Sequence, residues 1–343
     1  MPKIREKIFC IFLNFGVDTN VRLCYNSFVM RKNAFIVFFG FIFATSFANA
    51  NVESLENALR ATYTACVGID DELADMKKLA GINTAVTGVG TGLGVGATVV
   101  GIKKAKVDEE VIKRLDKLRK YFSDNNIKEM PREDYAEFWN EVQNFDIDSM
   151  DDSVKQDADK EKTEIEELKK KSKKLGNWRT GLLGGTTATG VAGAIIAAQN
   201  RTDGSLRGMV DQCIDSVDKL KAAYMTAKMS GEDTADAAQI VEACGQYKYL
   251  DLSKIDKRAK GAMVSSVVTA TAGAVGTVTS AMANSEKVRA EGGQKEKNLN
   301  TTSNVLAAGT AVSSAVATVF NASQIAVIKD TIKVAESCSN TLR

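Results

Sequence analysis

Residues 261–284 read GAMVSSVVTATAGAVGTVTSAMAN, a run of twenty-four residues without a charged side chain. Four-residue spacing places side chains on one side of a helix, and small side chains there let a second helix approach closely. The run therefore predicts a tightly packed helix. Small residues at this spacing are Gly261, Ser265, Thr269, Gly273, Thr277 and Ala281.

Three other uncharged stretches, residues 82–102, 181–198 and 303–328, share this composition. The first also alternates glycine from Gly88 to Gly96, which would suit a β-strand with one bare face. We favour a helix there, because the other three stretches predict helices. Small residues at four-residue steps in these stretches are Gly88, Gly92, Gly96, Gly181, Gly185, Thr189, Gly193, Ala197, Ala307, Ala311 and Ala315.

The charged parts of the chain also show helical periodicity. Apolar residues recur at three- and four-residue steps in 107–122, and residues 163–175 form a Glu/Lys-rich run with one apolar face. Both patterns indicate amphipathic helices. Pro131 is the only proline after residue 50, and strand signals are scarce. We predict an all-α fold.

Residues 30–50, MRKNAFIVFFGFIFATSFANA, carry an export signal. A short basic start precedes an apolar run that is too short to span a bilayer comfortably, and Ala48-Asn49-Ala50 supplies the small residues of a cleavage site. We expect cleavage after Ala50, so that the mature chain begins at Asn51. Residues 1–29 do not fit a signal peptide, and we interpret them as an over-extended start with Met30 as the initiator.

Removing the leader changes the bulk properties. Lys plus Arg falls from 45 to 39 and Asp plus Glu from 43 to 41, so the net charge moves from +2 to −2. That balance gives no reason to expect nucleic acid as a partner. The cysteines that remain are even in number, which favours disulfides in an exported protein. They are Cys66, Cys213, Cys244 and Cys338.

The uncharged stretches come in matching pairs, which suggests an internal duplication. A cysteine precedes the first and third stretches, and a cysteine follows the second and fourth. We predict two units, residues 51–229 and 230–343, each a Cys-flanked helical hairpin. The first unit has a charged insert at about residues 107–162. Together the units would form an elongated antiparallel bundle.

Hairpin geometry predicts the disulfide pairing. Cys66 and Cys213 lie at similar distances from the middle of their stretches, so an antiparallel hairpin brings them to the same end. We predict Cys66–Cys213 and Cys244–Cys338. The rival is Cys213–Cys244 with Cys66–Cys338, because residues 229–231 resemble a turn between Cys213 and Cys244. Spacing alone leaves both open.

The four stretches fit either a soluble bundle or transmembrane hairpins. Spans would leave all four cysteines outside and place many basic residues inside, as the positive-inside rule asks. The stretches are poor in Leu and Phe, however, and residues 254–260 put basic side chains on the outer flank. On these criteria we favour the soluble bundle and keep membrane insertion as the alternative.

The chain contains no histidine, which removes the commonest general base and metal ligand. We expect no catalytic site, no cofactor and no metal. Tyr135, Phe138 and Trp139 form an aromatic cluster in the charged insert. The cluster either stabilises the end of the bundle or forms a partner-binding tip.

The sequence thus predicts an exported, periplasmic or extracellular, structural or interaction protein. Its partner would be an unidentified protein or a second copy of the chain. The alternative is a membrane-embedded or pore-forming protein.

Overall fold

The computed structural model describes residues 9–15, 19–25, 54–124, 135–145, 152–202, 205–285, 288 and 293–343. The chain divides into two compact units, Met1–Val52 and Glu53–Arg343. In the first, strands β1 (Phe9–Phe15) and β2 (Thr19–Tyr25) pair antiparallel, with Phe9 opposite Tyr25. The predicted signal peptide, with Ala48 and Ala50, lies outside the described residues, and both the cleavage and the start at Met30 stay predictions.

All described secondary-structure elements of the second unit are helices, as the sequence predicts. Its elements are α1 (Leu55–Cys66), α2 (Ile69–Asp124), α3 (Tyr135–Asn144), α4 (Asp152–Gln199), α5 (Ser205–Met229), α6 (Ala235–Gly245), a 3-10 helix (Gln246–Tyr249), α7 (Leu252–Ala283) and α8 (Gly293–Leu342).

Two glycines in the left-handed region separate helices. Gly68 has φ +88° between α1 and α2, and Gly231 has φ +78° between α5 and α6. Glycine tolerates this conformation because it has no Cβ.

The long helices α2, α4, α7 and α8 form an antiparallel four-helix bundle. Each packs against two neighbours in the cyclic order α2, α4, α7, α8. Asn83 of α2 bonds Asn321 of α8, and Lys104 further along α2 bonds Glu296 earlier in α8, so these two helices run in opposite directions.

In the first predicted hairpin, Gly90 of α2 lies against Thr189 of α4, and Lys117 later in α2 pairs with Glu161 earlier in α4. In the second, Thr269 of α7 bonds Ser313 of α8, and Gly276 later in α7 accepts a bond from Ser303 earlier in α8. Both antiparallel hairpins are therefore present, while the duplication that would have produced them stays a prediction.

The buried face of each long helix follows a heptad, and this corrects the predicted four-residue stripes. In α8 the buried residues alternate steps of four and three: Ser303, Ala307, Thr310, Ser314, Ala317, Asn321, Gln324 and Ile328. Four residues advance a helix by more than one full turn, so a strict four-residue stripe drifts around the helix, whereas a heptad stays with its partners. Gly88 and Gly92 of the predicted stripe are accordingly exposed.

The first uncharged stretch is helical, which excludes its strand interpretation. Its glycines that follow the heptad lie against neighbouring helices, and Gly94 lies where two backbones nearly touch: a Cβ there would be 2.8 Å from the backbone nitrogen of Ala311. Small residues therefore set the interhelical distance in this part of the bundle.

Larger side chains fill the two ends of the bundle. We call one end the cysteine end. Its core includes Ile69, Leu73, Leu220 and Ile255 and is formed by six helices: α1, α2, α5, α6, α7 and α8. We call the other end the charged extension. There α3 packs on the last part of α2 and the first part of α4, and the core includes Leu118, Phe122, Phe138 and Ile165.

Candidate functional site

Both predicted disulfides are present at the cysteine end. Cys66 at the end of α1 bonds Cys213 of α5, with 4.7 Å between Cα atoms. Cys244 of α6 bonds Cys338 of α8, with 4.6 Å between Cα atoms. This is the pairing that the hairpin geometry favours over its rival.

The two disulfides lie next to each other. The sulfur atoms of Cys66, Cys244 and Cys338 are all within 4.8 Å of one another, and all four cysteines are buried. No sequence signal indicates this contact, because residue spacing assigns one cysteine pair to each hairpin and does not show how the two hairpins pack against each other. Four cysteines from four helices therefore converge in one core.

A band of large apolar side chains faces outward along the middle of the bundle. Val305 and Val319 of α8 are 67% and 68% exposed. Further members are Ile82, Val89, Val95, Val99, Ile102, Val191, Ile195, Val264, Val267, Val268, Val275, Val278, Met282, Val312 and Val316. All belong to the four uncharged stretches. We call this surface the apolar band.

Apart from Leu183, the buried side chains inside the band are small or hydroxylated. The buried residues of α7 here are Ala262, Ser266, Thr269, Gly273, Gly276, Ser280 and Ala283. A water-soluble bundle is normally arranged the other way, with large apolar residues in the core and polar ones outside. In this part of the protein the usual distribution is inverted.

A layer of buried polar side chains lies at the border of the apolar band that is nearer the cysteine end. Asn83 Nδ2 donates to Asn321 Oδ1 at 3.0 Å, and Gln324 Nε2 donates to the backbone oxygen of Asn200 at 2.9 Å. These bonds link α2 to α8 and α8 to the end of α4.

A second layer of buried polar side chains lies at the border of the apolar band that is nearer the charged extension. Arg179 is fully buried, and its guanidinium donates to Ser280 Oγ at 3.0 Å and to the Oδ1 atoms of Asn300 and Asn304 at 2.8 Å each. Nearby, Lys104 is also buried, and its Nζ lies 2.6 Å from Asp108 and 3.3 Å from Glu296. These contacts join all four long helices.

The spacing of the two layers is the same on three helices. Asn83 and Lys104, Arg179 and Asn200, and Asn300 and Asn321 are each 21 residues apart (104 − 83, 200 − 179, 321 − 300). At 1.5 Å per residue this is about 31 Å. The hydrocarbon core of a bilayer is about 30 Å thick.

The predicted aromatic cluster lies in the charged extension. Phe138 and Trp139 are buried, and the Phe138 ring meets the Phe122 ring edge-on at 6.5 Å. Arg119 stacks 4.7 Å from the centre of the Tyr135 ring, and Lys169 lies 4.7 Å from that of Trp139. This burial favours the stabilising role for the cluster, and its partner-binding role stays a prediction.

An ion-pair group ties the two long helices of the extension together. Glu161 of α4 accepts bonds from Arg114 at 2.9 Å and from Lys117, both of α2. Burial alone would raise the pKa of Glu161, but the hydrogen bonds and positive charges of Lys117 and Arg114 outweigh it and lower that pKa.

Four helices are long and apolar enough to cross a membrane. No protein-family model, curated protein or solved structure matches the chain. The sequence analysis did not identify the polar layers. The available signal was three pairs of polar residues, each three heptads apart: Asn83 and Lys104, Arg179 and Asn200, and Asn300 and Asn321.

Proposed function

We propose that this protein is an integral membrane scaffold whose four long helices cross a bilayer. The observation that carries the proposal is the apolar band, in which large apolar side chains face outward and small residues face inward. In lipid this is the favourable arrangement, because small residues permit close packing and there is no water to drive large residues inside.

The polar layers support the same proposal. They are separated by about the thickness of the hydrocarbon core and bury their charged and amide groups inside the bundle, where polar groups in membrane proteins are found. Trp178 is 61% exposed, next to Arg179 at the edge of the band. Tryptophan is enriched at that depth of the interface.

The orientation follows from the predicted leader and the cysteines. With export of the segment before α2, the cysteine end lies on the oxidising side, where disulfides form. The charged extension then lies on the cytoplasmic side, with the lysine-rich run 169–174 close to the membrane. That arrangement agrees with the positive-inside rule at these flanks.

The proposed role is structural and not conductive. Backbones meet in the bundle interior: a Cβ on Gly190 would lie 2.5 Å from the backbone nitrogen of Ala270. Such packing holds the cysteine end and the charged extension in a fixed relation across the bilayer. We propose no catalytic activity, and the partner remains a protein that binds either end or a second copy of the chain.

The second candidate is the exported soluble bundle. The heptad pattern favours it, because the described buried residues of all four long helices follow the a/d spacing of coiled coils. In water, however, it would expose the whole apolar band, and a large exposed apolar surface marks an interaction or membrane site.

Cysteine labelling from outside distinguishes the candidates. Single cysteines replace exposed residues in a chain with Cys10 and Cys24 changed to serine: Glu232→Cys at the cysteine end, Val268→Cys in the apolar band and Glu167→Cys in the charged extension. A membrane-impermeant maleimide is added to intact cells, and then after permeabilisation.

The scaffold predicts labelling of Glu232→Cys in intact cells, of Glu167→Cys only after permeabilisation, and of Val268→Cys in neither case. Equal labelling of the three variants without permeabilisation, whether the protein is on intact cells or released into the medium, would support the soluble bundle and overturn the scaffold. The disulfide cysteines do not react, so the parent chain is the background control.

A further inference from the structure

We propose that the four cysteines, when they are reduced to thiols in the folded bundle, form a binding site for one zinc ion. The disulfides of the exported protein would then be the second state of the same four side chains. This inference does not depend on whether the helices cross a membrane.

The convergence of the sulfur atoms is the first argument. Structural zinc is bound by four ligands in a tetrahedron, commonly all cysteine, at about 2.3 Å from each sulfur. Sulfurs in such a site are about 3.8 Å apart. Three sulfurs from two different disulfides, Cys66, Cys244 and Cys338, already lie within 4.8 Å of one another.

The fourth ligand is in reach. Disulfides hold Cys213 against Cys66 and Cys244 against Cys338. Without those bonds, the two sulfurs of each pair need to separate by only about 2 Å to reach tetrahedral spacing. Rotation about the Cα–Cβ bond moves a sulfur atom by such a distance without moving the helix.

The elements that carry the cysteines also fit a structural metal site. The four side chains come from α1, α5, α6 and α8, so one ion would fix four helices at once. All four are buried, which closes the site to water. Structural zinc sites are closed in this way, whereas catalytic sites keep an open position.

Binding of zinc by the thiols involves no redox step. Each thiol that binds loses its proton to solvent, and Zn²⁺ takes the four thiolates with up to four protons released. Later thiol–disulfide exchange with an external disulfide would join Cys66 to Cys213 and Cys244 to Cys338, and each exchange would reduce one external disulfide to two thiols. The four thiolates would thereby be lost and the ion expelled. The disulfide form therefore has no affinity for zinc at this place.

The test uses the full chain in detergent, reduced with a phosphine that does not compete for metal. Zinc binding is measured by competition with a chromophoric chelator, and Co²⁺ is used as a spectroscopic probe of ligand type and geometry. The oxidised chain, prepared in parallel, is the matched control, and circular dichroism follows helix content in every sample.

We expect one Zn²⁺ per reduced chain, a Co²⁺ spectrum typical of four thiolates in a tetrahedron, and no binding to the oxidised chain. Cys213→Ser should weaken zinc binding at least about tenfold. If reduction loosens the cysteine end, zinc should restore its helix content. A reduced chain that neither binds Co²⁺ through thiolates nor refolds with Zn²⁺ would overturn the proposal.

Discussion

The guanidinium of Arg179 in α4 donates a 2.8 Å hydrogen bond to the side-chain oxygen of Asn300 in α8, the two lying in the interior of the bundle. Arg179 donates two further bonds, to Ser280 and Asn304. All three hydrogen-bond partners of this buried cation are therefore neutral side chains. A buried charge is stable only where its hydrogen bonds are satisfied. The polar layer around Arg179 is therefore a point at which the bundle is sensitive to mutation.

We predict that Arg179→Ala destabilises the bundle by about 3 kcal/mol or more, because three hydrogen bonds are lost and buried acceptors are left unpaired. Thermal unfolding in detergent, followed by circular dichroism, measures the change. Arg60→Ala is the control, since Arg60 forms only an exposed ion pair with Glu56 and should cost less than about 0.5 kcal/mol. Similar melting of the two variants would contradict a structural role for the layer.

The close approach of α4 and α7 gives a second prediction. Gly190→Ala would place a Cβ 2.5 Å from the backbone nitrogen of Ala270 and 2.9 Å from the backbone oxygen of Ser266, so the helices must separate. We expect a loss of about 1–3 kcal/mol. Gly181→Ala, in the same helix, meets nothing within 4 Å and should be neutral or stabilising by up to about 1 kcal/mol.

The melting temperatures of the two alanine variants test this prediction, and we expect that of Gly190→Ala to be the lower. A lower melting temperature for Gly181→Ala would mean that the helices are not packed through Gly190.

The adjacency of the disulfides predicts exchange between them. Cys213→Ser frees Cys66, whose sulfur lies within 4.8 Å of those of Cys244 and Cys338. A thiolate at that place attacks the neighbouring disulfide. We expect non-reducing peptide maps of this variant to contain Cys66 linked to Cys244 or to Cys338.

Cys66→Ser provides the matched control. It frees Cys213, which is not among the three convergent sulfurs, and Cys244–Cys338 should stay intact. If Cys213→Ser also retained only Cys244–Cys338, the two disulfides would not be in contact.

The ion-pair group of the charged extension predicts sensitivity to acid. The pKa of Glu161 is lowered in the folded protein, so its contribution is complete above the unfolded pKa of about 4.3 and is lost as the pH falls through the folded value. Fluorescence of Trp139 in a Trp178→Phe chain should report loosening of the extension below about pH 4.

Glu161→Gln should weaken the extension at neutral pH and reduce its acid dependence. Glu167→Gln, an exposed position of the same helix, should behave like the parent chain. If the pH dependence of Trp139 fluorescence were unchanged in Glu161→Gln, other carboxylates would be responsible for the acid sensitivity of the charged extension.

Much of the fold was readable in the sequence because its signals are local. Four uncharged stretches and charged amphipathic runs specify helices through residue spacing, and antiparallel hairpins bring Cys66 to Cys213 without further information. The predicted stripe at Gly88 and Gly92 was wrong, because a strict four-residue spacing drifts around a long helix and does not stay with its partners. Here each long helix has two neighbours, and the heptad satisfies both.

The site depended on contacts that spacing does not encode. The sequence cannot show that Cys66 meets Cys244 and Cys338, since that contact requires two hairpins to dock side by side. Nor does it show which face of a stretch rich in both glycine and valine points inward. Orientation of Val268 outward and Ser266 inward is a result of packing, and it reverses our preference from the soluble bundle to the membrane scaffold.

The most direct test of the scaffold is extraction of the membrane fraction with alkaline carbonate, which removes proteins that are not embedded in the bilayer. We predict that the chain remains in the membrane pellet and is released only by detergent, because four helices present the apolar band to lipid. Recovery of the intact chain in the carbonate supernatant would contradict membrane insertion and restore the soluble bundle.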